Sequence, residues 1–258
     1  MNAIELQGTG LSGRTSRVAI SESERFGLYQ HGDSRPPMEI TYNIDNVRVD
    51  DHSVTVGGAV HVVEHLFSAL YGLDLFRVRI DVHGSEVPFF DGSSRHFGRA
   101  LAGFNSQQSP GISLPCPIEV ADGHGSIRYV PDGLDELVID MSLVHPYTGH
   151  QSVSIRLTPE TYREEIMEAR TFVFTDEDDP RLRDLPPYGI GITCKGIYSS
   201  SPLRFPDEPV RHKVLDLLGD LYVLGGGLRG KVVAENTSHR LNSIFIRKLK
   251  SAKNGEND

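Results

Sequence analysis

The order of its segments predicts an α+β protein made of two similar halves, each a group of strands followed by helices that pack on them. Three observations carry this reading. Segments such as RVRIDVHG (77–84) alternate apolar and polar residues with the period of a half-buried strand. Five stretches, near 61–71, 93–104, 159–169, 208–225 and 238–250, repeat apolar residues with helical spacing. Between the second and third of these, Asn105–Pro117 (NSQQSPGISLPCP) is polar and holds three prolines, as an interdomain break would. The first domain is therefore expected over 1–110 and the second over 111–250, with 251–258 (SAKNGEND) as a disordered tail.

The first helix follows from HVVEHLFSALYGL (61–73). Val62, Val63, Leu66, Phe67 and Leu70 share one face, and His61, Glu64, His65 and Ser68 share the other. Next, EVPFFDGSSRHF (86–97) reads as a turn followed by a helix start with Ser93 or Ser94 as cap, a structural connection. In the second half, strands are expected near 118–146 and 151–157, then the helix at 159–169. The next helix has Asp207 as N-cap, Pro209 in its first turn and Gly225–Gly227 as its stop. Val210, Val214, Leu217, Leu218 and Leu221 form its buried stripe, while His212, Asp216 and Asp220 line a narrow polar strip opposite the core. The last helix is capped by Asn236, Thr237 or Ser238, buries Leu241, Ile244, Phe245 and Leu249, and carries His239 in an exposed first turn.

The 258 residues are 38% hydrophobic, with no apolar run long enough to span a bilayer and no signal-peptide pattern, so a cytoplasmic monomer is expected. A net charge of −9 argues against a nucleic-acid partner. It leaves room for a small anionic ligand held by a few local cations, for which Arg170, Lys195, Arg204, Lys213 and Arg240 are available. Cys116 and Cys194 are too few for a disulfide framework. The patterns Gly8-Thr9-Gly10 and Gly189-Ile190-Gly191 lack the strand-loop-helix setting of a dinucleotide site.

The chemistry lies in the histidines and carboxylates. An imidazole and a carboxylate one helical turn apart can close on one Zn²⁺. Adjacent Glu64 and His65 offer a ligand beside a carboxylate able to take a proton from water, the minimum equipment for metal-assisted hydrolysis. The spacing H-x-x-E-H also fits an inverted zinc-peptidase motif, with His61 and His65 as ligands and Glu64 as base.

VEHLFSALYGL, EVPFFDGSSRHF, ARTFVF, RFPDEPVRHKVLDLLGDLYVLG and SHRLN occur in an order and spacing that resemble the UDP-3-O-acyl-N-acetylglucosamine deacetylase (LpxC) family, of which the chain would be a short, divergent member. The resemblance runs from GTGLSGR (8–14) to about Leu249. It implies two similar domains with the active site between them and a zinc ion held by His65, His212 and Asp216. It further implies Glu64 as general base and His239 as a cationic acid oriented by Asp220. Thr171 and Lys213 would stand near the scissile carbonyl, and His61 would be only a neighbour. The implied substrate is an N-acetylated amino sugar, UDP-linked in the family.

Departures from the pattern bear on recognition rather than catalysis. Ser12 stands where the family has a histidine in G-L-H-x-G, Asn236 where it carries Lys or Arg that meets the UDP pyrophosphate, and Val173 where it has glycine. Residues 175–203 are short for the family's acyl passage. They hold Pro180, Pro186 and Pro187 and five carboxylates by Asp184, so little apolar lining and weak dependence on a 3-O-acyl chain are expected. Two other readings stay open: the inverted-motif peptidase, and a non-catalytic homologue that binds zinc or a sugar nucleotide.

Overall fold

The computed structural model describes residues 2–32, 35–49, 53–106, 110–179, 182 and 189–255. Pro180, Asp184, Pro186, Pro187 and the last three residues of the tail lie outside these. The chain opens with β1 (Ala3–Thr9), β2 (Thr15–Glu22), β3 (Gly27–Gly32) and β4 (Arg35–Glu39). A small sheet of β5 (Val47–Val49), β6 (Val54–Val56) and β7 (Val60–His61) leads into α1 (Glu64–Gly72). β8 (Val78–His83) then enters the middle of the first sheet, whose order is β1-β2-β8-β3-β4, and α2 (Arg95–Ala100) follows. Val78, Ile80 and Val82 of β8 face the core, and the residues between them are half-buried, the period-2 pattern of a sheet covered on one side.

The second half repeats this plan. After β9 (Gly111–Ile112) come β10 (Ile118–Ala121), β11 (Ser126–Val130), β12 (Leu137–His145) and β13 (Gly149–Arg156). The short helix α3 (Pro159–Thr161) runs into a π turn at 162–166. A second small sheet, β14 (Phe172–Phe174), β15 (Ile190–Thr193) and β16 (Gly196–Ser199), leads into α4 (Glu208–Leu221). β17 (Gly227–Leu228) pairs with β9, β18 (Gly230–Glu235) enters the middle of the second sheet, and α5 (His239–Asn254) follows. The order is β10-β11-β18-β12-β13. In each sheet the late central strand runs antiparallel to the second strand and parallel to the third. The protein is thus α+β with two similar domains. No helix among the described residues is long and apolar enough to cross a membrane.

Several boundaries differ from the sequence expectation, each for a local reason. The helix expected from 61 starts at Glu64, because backbone bonds to Ser85 and Val87 hold His61 in a strand and Val62 takes a positive φ of 60°. α2 covers only 95–100, continued by a 3₁₀ turn at 101–103; of the two expected caps, Ser93 Oγ accepts from Arg95 N, whereas the Ser94 hydroxyl caps nothing and donates instead to the carbonyl of His65. Asp207 does not cap α4 either, since its carboxylate accepts from Arg211 Nε. Ser238 does cap α5, accepting from Leu241 N. That helix continues to Asn254 and ends at left-handed Gly255, so part of the expected tail is helical. Ile244 is exposed, and Asn242 and Ile246 are buried in the α5 interface.

Candidate metal centre and active site

The site forms where α1 of the first half packs on α4 of the second. Gly219 on α4 lies so close to the backbone of Glu64 that any Cβ there would strike the Glu64 carbonyl. This close approach buries both polar faces. Glu64 is 2% exposed, His65 3%, His212 3% and Asp216 6%, so the strip on α4 lies in an interface rather than on a wet surface. Burying such groups is costly unless they pair or bind an ion.

Ligand atoms of His65, His212 and Asp216 all lie within 4.8 Å of one another. The two imidazoles meet edge to face at 5.3 Å between centroids, and His212 Nε2 is 3.2 Å from Asp216 Oδ1. His212 Nδ1 faces the Ala169 carbonyl at 3.1 Å, which fixes the ring and aims Nε2 into the cluster. His65 Nδ1 is buried without a hydrogen-bond partner. Burial and neighbouring His212 push the His65 pKa down to about 3, so the ring stays neutral, as a ligand must be. Burial would raise the Asp216 carboxyl, but His212 and His239 outweigh it and hold the group well below the usual carboxylate range. Two neutral-capable imidazoles and one carboxylate, with an orphaned ring nitrogen, fit a divalent cation with a position left open.

Two further groups flank the cluster. Burial raises Glu64 to about 7, against the opposing pull of His239 and of the Val54 amide that donates to its carboxylate at 3.2 Å. His239 leads α5 and is mostly buried rather than exposed, with Nε2 3.9 Å from Asp216. Burial opposes its charge, but Asp220, whose Oδ2 lies 2.8 Å from His239 Nδ1, and Asp216 prevail and lift its pKa to about 10. Asp220 Oδ2 also accepts from Asn242 Nδ2 at 2.8 Å.

A cavity of about 290 Å³ opens beside the cluster, lined on the polar side by Glu64, His65, His212, Lys213, Asp216, His239 and Thr171. Lys213 Nζ reaches toward Asp216 at 3.7 Å and lies over the Phe172 ring. The remaining wall is apolar and includes Leu11, Phe89, Phe172, Val173 and Ile190. Of the described residues of 175–203, Gly189 and Ile190 reach this wall, while Glu177 turns away to bond Lys195 and Cys194; Phe172 and Val173 come from β14, just before that segment.

The cations expected to meet substrate stand elsewhere. Arg170 is 1% exposed and all five of its side-chain donors are spent, on Glu208, Ser199, Ser201 and the Pro202 carbonyl, leaving none for a ligand. Arg204 is bound to Asp91, Ser93 and the Glu168 carbonyl. Arg240 is exposed beside His239 on α5. His61 is the exposed residue of β7, with Nδ1 2.9 Å from Thr55 Oγ1, outside the metal cluster, which removes the helical H-x-x-E-H geometry. Ser12 gives both its hydroxyl and its amide to the Glu86 carboxylate. Asn236, at φ 48°, spends its amide on Val144 N and the His124 carbonyl.

Sequence reasoning missed Gly219 and the role of Ser94. The Gly-Asp step in DLLGDLY and the serine pair after Asp91-Gly92 are the signals, but only the packing shows that one sets the helix contact and the other holds a ligand's carbonyl.

A family model for UDP-3-O-acyl N-acetylglycosamine deacetylases (LpxC) matches residues 1–251. A protein of Geotalea uraniireducens named UDP-3-O-acyl-N-acetylglucosamine deacetylase is 30% identical over 97% of this chain and 87% of its own length. A protein of that name from Wolinella succinogenes is 35% identical over 75% of this chain and 68% of its own length, and one from Geobacter sp. (strain M21) is 30% identical over 96% and 87%.

Proposed function

The chain belongs to the UDP-3-O-acyl N-acetylglycosamine deacetylase family, and from that premise we propose that it is a zinc-dependent amide hydrolase that removes the N-acetyl group of a UDP-3-O-acyl-glucosamine-type substrate in lipid A synthesis, or of a related N-acylated amino sugar. The observation that carries the proposal is one buried cluster in which a ligand triad lies between a carboxylate near neutral pKa and a cationic imidazole. His65, His212 and Asp216 are the proposed zinc ligands. When bound, the ion supplies Lewis acidity toward water and the amide carbonyl.

The chain's own residues perform the proton transfers. Glu64, buried beside the candidate ligands, takes the proton of the attacking water. His239, held cationic by Asp220, delivers a proton to the departing amine and favours negative charge developing on the carbonyl oxygen. Thr171 and Lys213 at the cavity wall orient that carbonyl. Substrate contact from Arg170 is no longer part of the reading, because all five of its side-chain donors are committed, whereas Arg204, with three side-chain bonds to Asp91, Ser93 and the Glu168 carbonyl, keeps its place in it. Arg240 remains in it as the exposed cation beside His239. Work as a cytoplasmic monomer belongs to the same proposal.

A second reading, a binder of zinc or a sugar nucleotide without turnover, is favoured by the commitment of Ser12 and Asn236 to protein partners. The test is amine release by wild type and Glu64→Ala from UDP-N-acetylglucosamine with and without a 3-O-acyl chain. Release by wild type alone supports the deacetylase. No release from a zinc-loaded wild type, across that pair and a panel of N-acetyl sugars, overturns it in favour of the binder.

A further inference from the structure

We infer that Asn242 is a positioning residue, whose side-chain amide holds the Asp220 carboxylate in the orientation that fixes His239; this rests on the deacetylase reading for its kinetic consequence only. Three observations carry it. Asn242 is 0% exposed, in the buried face of α5. Its Nδ2 donates to Asp220 Oδ2 at 2.8 Å, the same oxygen that faces His239 Nδ1 at 2.8 Å. Its Oδ1 is buried with no hydrogen-bond partner.

The third observation gives the second its weight. A buried, unsatisfied amide oxygen lowers stability, and an apolar side chain of similar size would remove that cost. Reversing the amide is no remedy, since it would set Oδ1 against the Asp220 carboxylate, oxygen against oxygen. The residue therefore sits in a place where its shape gains nothing over leucine and its only side-chain bond goes to the partner of His239. His239 and Asn242 are three residues apart on α5, so they meet one carboxylate oxygen from the same helix face. Two donors on that oxygen leave the carboxylate little freedom to turn, and Nε2 of the imidazole is then aimed at the cavity.

Asn242→Leu separates this role from a structural one, because the two predict opposite signs. The expected result is a Tm equal to or above wild type and unchanged zinc content, with kcat lowered about ten- to a hundredfold and KM within about twofold. In the proton NMR spectrum, the His239 Nδ1–H resonance, identified by its absence in His239→Ala, is expected to broaden or vanish in the variant. Asn242→Ala, which cannot clash, carries the same kinetic and NMR comparison if leucine disturbs the packing. A kcat within about twofold of wild type in either variant overturns the inference. So does an Nδ1–H resonance unchanged in position and width, and that readout holds even if wild type releases no amine, an outcome that sinks only the deacetylase reading.

Discussion

α2 and α5 hold equivalent places, each directly after the late central strand of its sheet, and their first turns do different work. In α5 the serine before the helix caps it conventionally, freeing the first residue, His239, to enter the site. In α2 the serine before the helix gives up capping and donates to the carbonyl of His65. One half thus presents the proposed acid, and the other braces the helix that carries a candidate ligand and the proposed base. α1 and α4 divide the candidate site likewise: the proposed base and one candidate ligand come from the first half, two candidate ligands and the partner of the proposed acid from the second. On this reading neither half has a complete site, so function depends on how the halves dock.

The sharpest break of that division is removal of a ligand from either side. His65→Ala from the first half, and His212→Ala or Asp216→Ala from the second, should each lose zinc and lower turnover more than about a thousandfold, ~4 kcal/mol of barrier. His61→Ala should keep both within about twofold. Metal analysis of the purified variants checks this, and zinc retained by Asp216→Ala but lost from His61→Ala would undo the ligand assignment.

The next largest effect separates base from acid. Glu64→Ala and His239→Ala should each lower kcat by about 10²–10⁴-fold with zinc retained. As the proposed base Glu64 has to be deprotonated, so activity should rise with pH through its pKa, and as the proposed acid His239 has to be protonated, so activity should fall as pH passes its own. A bound divalent cation moves both limbs below the metal-free values of about 7 and about 10. The profile of kcat/KM should be bell-shaped, and His239→Ala should lose its alkaline limb; retention of that limb would take His239 out of the proton transfer.

Docking itself is tested by Gly219→Ala. The added methyl has to push α4 off the Glu64 backbone, with a stability loss of ~1–3 kcal/mol. The same shift should lower kcat about tenfold. Thermal melts and steady-state rates report both, and a variant equal to wild type would mean that the interface relaxes freely. The smallest effect should lie at the cavity wall. A cavity of about 290 Å³ is small for a long acyl chain beside a nucleotide sugar, so preference for a 3-O-acylated substrate should stay below about a hundredfold, near 2.7 kcal/mol. Matched substrates with and without the chain decide it.

Much of the candidate site's geometry was legible because it rests on short local patterns. The spacings of Glu64-His65 and His212-x-x-x-Asp216 put the groups on known helix faces, and one of the three candidate caps, Ser238, starts α5. What stayed hidden depends on distant partners. Whether an arginine meets a ligand or a buried glutamate cannot be read from ARTFVF, because Glu208 lies 38 residues away. The burial of the polar strip on α4 was not legible, because helical periodicity distinguishes a polar face from an apolar one, yet says nothing of a second polar face covering it. The start of α1 was misplaced because valines at 62 and 63 fit a helix stripe as well as a strand end.

The late central strand also has a consequence for how the protein is made. As the chain emerges from the ribosome, β1–β2 and β3–β4 form separate hairpins, and β8 must arrive before they join. The second sheet repeats this order, since its keystone β18 follows both of its hairpins, β10–β11 and β12–β13. The second half, and with it the alignment of His239, therefore closes only once β18 has arrived, and a nascent chain stalled before Gly230 presents two unjoined hairpins to proteases and to other strand edges.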